Sequence, residues 1–109
     1  MRRTAKGLLA AALACASVAA LAASGDPEAG MKKSAPCQAC HGAKGISVSP
    51  EFPNLAGQNE DYLVASLHHY KDGHRKNPIM QGQAANLTER DIHDLAAYFS
   101  GQEGLYTKE

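Results

Sequence analysis

The chain has 109 residues, a length that indicates one domain, and it contains eleven basic and eleven acidic residues. Three of the basic residues precede position 23 and all of the acidic residues follow it, so the chain from position 23 onward carries a net charge of 8 − 11 = −3. This charge disfavours nucleic acids and anionic membrane surfaces as partners.

Residues 1–22 have the pattern of a secretory signal peptide. A short basic region precedes an uncharged run rich in Leu and Ala, and a small-x-small cleavage pattern follows at 20–22. A membrane anchor is the alternative, although an apolar run of about 17 residues is marginal for spanning a bilayer. A lipid anchor on Cys15 is disfavoured because the residues before it make a poor lipobox. We expect removal of residues 1–22 and export of residues 23–109 to a bacterial periplasm, without stable membrane insertion.

The first helix is predicted to begin after Asp26, because Asp is a favoured N-cap residue and Pro27 and Glu28 suit the first helical turn. Its apolar face is weak, so it needs packing against another element to be stable. The helix should weaken near Pro36, since proline disrupts a helix interior.

Two further helices are predicted, one between Asn59 and Gly73 and one between Thr88 and Gly101, with glycine as the terminating residue of each. Asp91 stands three residues after Thr88, which is a variant of the capping box. The apolar residues at helical spacing are Tyr62, Leu63, Leu67 and Tyr70 in the first of these helices, and Ile92, Leu95, Ala96 and Phe99 in the second.

The stretches between these helices, 42–58 and 74–87, are rich in Gly and Pro, and no segment alternates well enough to be a strand. The predicted fold class is therefore all-α, with three to five helices. From position 23 onward the chain has 19 residues among Val, Ile, Leu, Met, Phe and Tyr, which is a thin core for a domain of this size. Such a domain usually needs a disulfide, a metal or a bound cofactor to be stable.

The sequence PCQACH at 36–41 offers such a stabilising element. A disulfide between Cys37 and Cys40 would close a loop too short to stabilise the domain much. A redox dithiol is expected after a strand at the start of a helix, and no strand is predicted here. A zinc site would need Cys37, Cys40 and His41 to be joined by another histidine, and no second ligand pair at a compact spacing is visible.

Covalent haem attachment is the remaining and favoured interpretation of this motif. Two thiols separated by two residues match the spacing of the two haem vinyl groups, and the histidine that follows becomes the proximal iron ligand. Cys37 and Cys40 are then thioether tethers, and His41 binds the iron of one haem c per chain. The pattern is specific in an exported chain with no other cysteine after position 22.

The sixth iron ligand is predicted to be Met80. Methionine or histidine are the usual choices, and Met80 follows His41 by 39 residues in a stretch expected to be a flexible loop, which gives it the reach to cross the ring. Met31 lies six residues before Cys37, too close to reach the opposite face. The histidines at 68, 69, 74 and 93 are interpreted as solvated or capping residues, with His74 as the main competitor.

These residues resemble those of the class I c-type cytochromes, and most closely the small bacterial ones of the c4, c5 and c553 kind. The resemblance covers residues 26 to about 102 and implies the cytochrome c fold, in which helices wrap around one haem. Cytochromes of the c4 kind have two such domains, so this chain is expected to be a monohaem relative. The matching segments are CQACHG (37–42), PNLAGQ (53–58), YLVASLHHYKDG (62–73), NPIM (77–80) and LTERDIHDLAAYFS (87–100).

The resemblance also implies two contacts. The carbonyl of Pro53 should bind the second ring nitrogen of His41, which fixes the ring and strengthens it as a donor. The N- and C-terminal helices should cross where Gly30 packs against Leu95 and Tyr98.

The expected function is electron transfer rather than catalysis, with one electron carried between a protein donor and a protein acceptor, such as an oxidase, reductase or dehydrogenase. A monomer or weak dimer is expected. The alternatives are a haem-based ligand sensor or small peroxidase with a displaceable sixth ligand, or a haem subunit of a dehydrogenase complex. Lys44, Arg75 and Lys76 form either a docking patch for an acidic partner or an ordinary solvated surface.

Overall fold

The computed structural model describes residue 7 and residues 24–104, and its helices confirm the predicted all-α fold class. Among these residues there is no strand. No helix within the described part of the chain combines the length and the apolar character that crossing a membrane requires. The predicted signal peptide, residues 1–22, lies outside the described residues except for Gly7. The helices are α1 (Pro27–Lys33), α2 (Ala35–His41), α3 (Glu60–Asp72), α4 (Pro78–Ala84) and α5 (Glu89–Ser100), with a 3-10 turn at Ala43–Gly45.

Local sequence signals determine where three of these helices begin. The Asp26 carboxylate accepts a hydrogen bond from the Glu28 N–H at 2.9 Å and caps α1. A complete capping box starts α5, because the Thr88 hydroxyl accepts from the Asp91 N–H at 3.1 Å and the Asp91 carboxylate accepts from the Thr88 N–H at 2.9 Å. The predicted Asn59 and Gly73 boundaries of α3 are confirmed as well, with Gly73 in the left-handed conformation (φ 84°) that closes many helices.

Two helices were not predicted. Pro36 does not simply weaken the first helix: α1 ends at Lys33, Ser34 turns the chain, and α2 begins with Pro36 in its first turn. The prediction that Met80 lies in a flexible loop is wrong, since Met80 is in the first turn of α4. Both helices have only seven residues, too few for an apolar repeat to be visible in the sequence.

The α1–α5 crossing is the most tightly packed part of the fold. A Cβ atom on Gly30 would lie 1.9 Å from the Asp94 carbonyl oxygen and 2.8 Å from the Tyr98 Cβ, so only glycine allows the two backbones to approach this closely. The expected contact of Gly30 with Tyr98 is present, and the nearest backbone atoms on α5 are those of Asp94; packing of Gly30 against Leu95 stays a prediction. On α5 the buried apolar residues are Ile92, Leu95, Ala96, Tyr98 and Phe99.

A buried carboxylate joins these two helices. Asp94 is 1% exposed, and its two oxygens accept hydrogen bonds from the Asp26 N–H (2.8 Å) and the Lys33 ammonium (2.7 Å). Burial acts to raise the pKa of Asp94, but these hydrogen bonds outweigh it and lower the pKa below its ordinary value. Lys33 also reaches Asp91 at 2.9 Å, so one cation links two carboxylates on α5 to the end of α1.

Candidate functional site

Helix α2 presents two thiols and an imidazole within one turn. Cys37 is half-buried against the apolar core, Cys40 is exposed, and both are free thiols. His41 is buried, with 6% of its surface exposed. Residues three and four apart lie on the same face of a helix, so the Cys37 thiol and the His41 ring share one side of α2.

The His41 ring is held in one orientation. Its Nδ1 lies 2.8 Å from the Pro53 carbonyl oxygen, which can only accept a hydrogen bond. Nδ1 therefore carries the proton, and Nε2 keeps the lone pair that a metal ion requires. The Phe52 ring lies edge-on to the imidazole, with centroids 6.3 Å apart.

The loop that carries Pro53 is itself attached to α5. The Gly45 carbonyl accepts hydrogen bonds from the backbone N–H groups of Leu55 (2.8 Å) and Ala56 (3.1 Å), and the Gly57 N–H donates to the Phe99 carbonyl at 3.0 Å. Gly45 has a positive φ of 80°, and a Cβ there would lie 2.8 Å from the Phe99 ring. Apart from the glycines, nothing in the sequence indicates these contacts. These hydrogen bonds fix the loop relative to α5, and with it the Pro53 carbonyl that orients His41.

Met80 lies on a different helix, and most side chains in the first turn of that helix are exposed. Met80 is partly buried in α4, and its backbone N–H donates to the Asn77 side-chain oxygen at 3.0 Å. Met31, the other candidate thioether, is 51% exposed on α1. The structure thus places His41 and Met80 on two separately held helices.

The remaining histidines have polar neighbours of their own. His68 lies 2.8 Å from Glu89, and His74 lies 2.6 Å from Asp72. Within residues 24–104, no three side chains among His, Cys, Asp and Glu are arranged to hold a metal ion, so the zinc interpretation lacks a ligand set. Burial raises the pKa of the Cys37 thiol, whereas reactive dithiols have a lowered pKa.

The three cations considered as a docking patch are all exposed. Lys44 has a left-handed backbone (φ 56°) in the turn that follows α2. The Arg75 guanidinium stacks over the Tyr70 ring, with its carbon 4.5 Å from the ring centroid. A docking role for Lys44, Arg75 and Lys76 stays a prediction.

The fold and these groups define a class of protein: a small helical domain with a site suited to a covalently attached haem. The donor chemistry fits that group, because two unpaired thiols can each form a thioether and a buried imidazole has a free Nε2 for iron. Partly buried apolar residues fit it as well, since, like Cys37, they pack against the core cluster and keep apolar surface available. These residues are Leu55, Val64, Leu67 and Leu87.

Comparison with known proteins gives the family. The family model described as "Cytochrome c" matches residues 28–102. The chain is 51% identical over 81 residues to cytochrome c4 of Pseudomonas aeruginosa, which covers 74% of this chain and 40% of that protein. It is 45% identical over 82 residues to cytochrome c-554(548) of Halomonas halodenitrificans, which covers 72% of this chain and 99% of that protein. The crystal structure of reduced recombinant cytochrome c4 from Pseudomonas stutzeri superimposes with a TM-score of 0.72 at 46% identity, over 74% of this chain and 47% of that one.

The chain belongs to the cytochrome c family and has the cytochrome c fold. Its cofactor is covalently bound haem c with iron, as predicted. The chain spans about 40% of the length of the Pseudomonas aeruginosa cytochrome c4 that it matches.

Proposed function

We propose that this protein is a periplasmic carrier of single electrons, with one haem c attached through Cys37 and Cys40 and with His41 and Met80 as its axial ligands. The observation that carries the proposal is the arrangement at His41. A buried imidazole follows the second thiol of a CxxCH motif, and the Pro53 carbonyl leaves only Nε2 available for iron.

Each residue has a defined task in this proposal. Cys37 and Cys40 would each hold the haem through a thioether: the S–H group would add across one vinyl group, with the sulfur on one vinyl carbon and the hydrogen on the other. When bound, the haem supplies a ferric–ferrous couple. The Pro53 carbonyl polarises the His41 N–H and so strengthens Nε2 as a donor. Met80 contributes a neutral sulfur, which favours the ferrous state and raises the reduction potential.

Binding of the iron by both His41 and Met80 would leave no open coordination site for a substrate, which supports a carrier rather than an enzyme. Its partners are redox proteins that donate and accept the electron. Such encounters are brief and bury little area. The exposed cations Lys44, Arg75 and Lys76 are candidates to orient an acidic partner, although the net charge of −3 from position 23 onward limits long-range attraction.

Optical spectra of the purified protein test the ligation directly. Reduced c-type bands that survive acid–acetone extraction are expected from thioether attachment, and a weak far-red band in the ferric form is expected from methionine ligation. Met80→Ala should lose the far-red band and keep the c-type bands. Met31→Ala is the matched control, because Met31 is half-exposed on α1, and it should keep both. Persistence of the far-red band in Met80→Ala would rule out Met80 as the ligand.

Ligand binding distinguishes the carrier from the sensor or peroxidase. A firm Met80 bond should make the ferrous protein bind carbon monoxide slowly and poorly. Rapid binding by the wild-type protein would contradict the carrier proposal and favour a displaceable sixth ligand. Met80→Ala provides the positive control, since removal of the sulfur should open the site to carbon monoxide.

A further inference from the structure

The helix that carries Met80 is fixed at its two ends by different means. At its C-terminal end, Ala84 is fully buried and its carbonyl accepts a hydrogen bond from the Leu87 N–H at 3.1 Å. At its N-terminal end, residues 77–79 are all exposed. Burial against the rest of the protein therefore holds the far end of α4 but not the turn in which Met80 lies.

Hydrogen bonds accepted by Asn77 hold that turn instead. The Asn77 side-chain oxygen accepts from the Met80 N–H at 3.0 Å, and the Asn77 carbonyl accepts from the Gln81 N–H at 2.8 Å. The extended backbone of Asn77 (φ −152°, ψ 112°) lets its side chain fold back over the turn. Pro78 at the first helical position has no N–H that needs a partner, and the side-chain cap of α4 is made at the third position, to the backbone of Met80 itself.

We propose that Asn77 is a positioning residue for Met80, and that its side-chain oxygen sets the strength of the bond between the Met80 sulfur and the iron. This inference rests on the proposed ligation by His41 and Met80. Without an acceptor for the Met80 N–H, the first turn of α4 frays and the sulfur samples more positions. An external ligand then displaces it more easily, although the rest of the fold is unchanged.

Titration of the ferric protein with imidazole measures this strength, because imidazole competes with the sulfur and removes the far-red band. The order of N-cap preference predicts wild-type behaviour for Asn77→Ser, intermediate behaviour for Asn77→Thr and the largest change for Asn77→Ala. For Asn77→Ala we expect a roughly five-fold tighter apparent imidazole affinity, which corresponds to the loss of one typical cap. The c-type bands should be the same in all four proteins.

Thr88→Ala is the matched control. Thr88 caps α5 through the same kind of bond, to the Asp91 N–H at 3.1 Å, but α5 carries no proposed iron ligand. Its loss should lower the free energy of unfolding by at least as much as Asn77→Ala and leave the imidazole affinity unchanged. A general loss of stability is thereby separated from a change at the ligand.

The outcomes separate the two proposals. Unchanged imidazole affinity in folded, haem-loaded Asn77→Ala overturns the role of Asn77, and so does an equal increase in Thr88→Ala. If Asn77→Ala does not accumulate with haem, Asn77→Thr decides: tighter imidazole binding supports the proposal and wild-type affinity overturns it. A wild-type ferric protein without the far-red band, or a Met80→Ala protein that keeps it, overturns the ligation and with it the role of Asn77.

Discussion

The two proposed iron ligands lie in regions that are held together in different ways. His41 is buried, and a chain of backbone hydrogen bonds connects its Pro53 partner to α5, which packs closely on α1 at Gly30. The Met80 turn (residues 77–80) has mostly exposed side chains and one side-chain cap. Substitutions at the α1–α5 crossing should therefore destabilise the whole domain, whereas substitutions in the Met80 turn should change the iron ligand and leave the fold intact.

The largest expected difference is between two isoleucines. Ile92 on α5 is completely buried, and Ile79 in the Met80 turn is 59% exposed. Ile92→Ala should lower the free energy of unfolding by about 4 kcal/mol, because it removes apolar contacts and leaves a cavity. Ile79→Ala should lower it by less than about 1 kcal/mol. Denaturant unfolding of the haem-loaded proteins, monitored by far-UV circular dichroism, measures both changes in the free energy of unfolding. Equal decreases for the two variants would show that the two regions are packed alike.

Alanine substitutions at two glycines should change the free energy of unfolding in opposite directions. Gly30→Ala should cost about 3 kcal/mol, since its Cβ would meet the Asp94 backbone and the helices would have to separate. Gly82 lies two residues after Met80, on the opposite side of α4, and a Cβ there would have no heavy atom within 4 Å. Gly82→Ala should raise the free energy of unfolding by about 0.5–1 kcal/mol, because alanine favours a helix interior. Destabilisation by Gly82→Ala would contradict the assignment of Gly82 to an exposed face of α4 with no close neighbours.

Acid should weaken the α1–α5 crossing. The hydrogen bond from the Thr88 N–H, with help from Lys33, lowers the pKa of Asp91 to about 2. Because this folded-state pKa lies below the unfolded value of about 4, the stability that Asp91 contributes is complete above about pH 4 and is lost as the pH falls towards 2. Allowing for partial exposure, that contribution is about 1–2 kcal/mol.

Asp91→Asn should therefore reduce the dependence of the unfolding free energy on pH between about 4 and 2, and leave its slope between about pH 5 and 7 unchanged. Asp72 supplies the comparison near the Met80 turn: the His74 N–H lowers its pKa as well, but its side chain is 48% exposed. Asp72→Asn should change the acid slope less. A larger effect at Asp72 than at Asp91 would contradict the larger contribution to acid stability that is assigned to Asp91.

The sequence predicted well what depends on neighbouring residues. The caps at Asp26 and Thr88, the end of α3 at Gly73 and the buried face of α5 all follow from local rules, and the structure confirms them. The Asn77-Pro78 pair is the same kind of helix start signal as Asp26-Pro27, so the same rule predicts that α4 begins at Pro78. Helix α4 was not predicted because the Gly/Pro-rich stretch was expected to be irregular.

Contacts between distant residues could not be predicted in the same way. No sequence pattern singled out Asp94, yet it binds Asp26 and Lys33, which are 68 and 61 residues away in the chain. Only the fold brings these groups together. The hydrogen bond between Pro53 and His41 was expected from the resemblance to known cytochromes. Composition and residue spacing alone do not predict it.

The most direct test of the difference between the two regions is a denaturant titration of the ferric wild-type protein with two signals. The far-red band reports the methionine–iron bond, and far-UV circular dichroism reports the helices. We predict that the far-red band disappears at a lower denaturant concentration than the helical signal, because the Met80 turn opens before the α1–α5 crossing. Coincident loss of both signals, or the absence of a far-red band in the native ferric protein, would contradict this account.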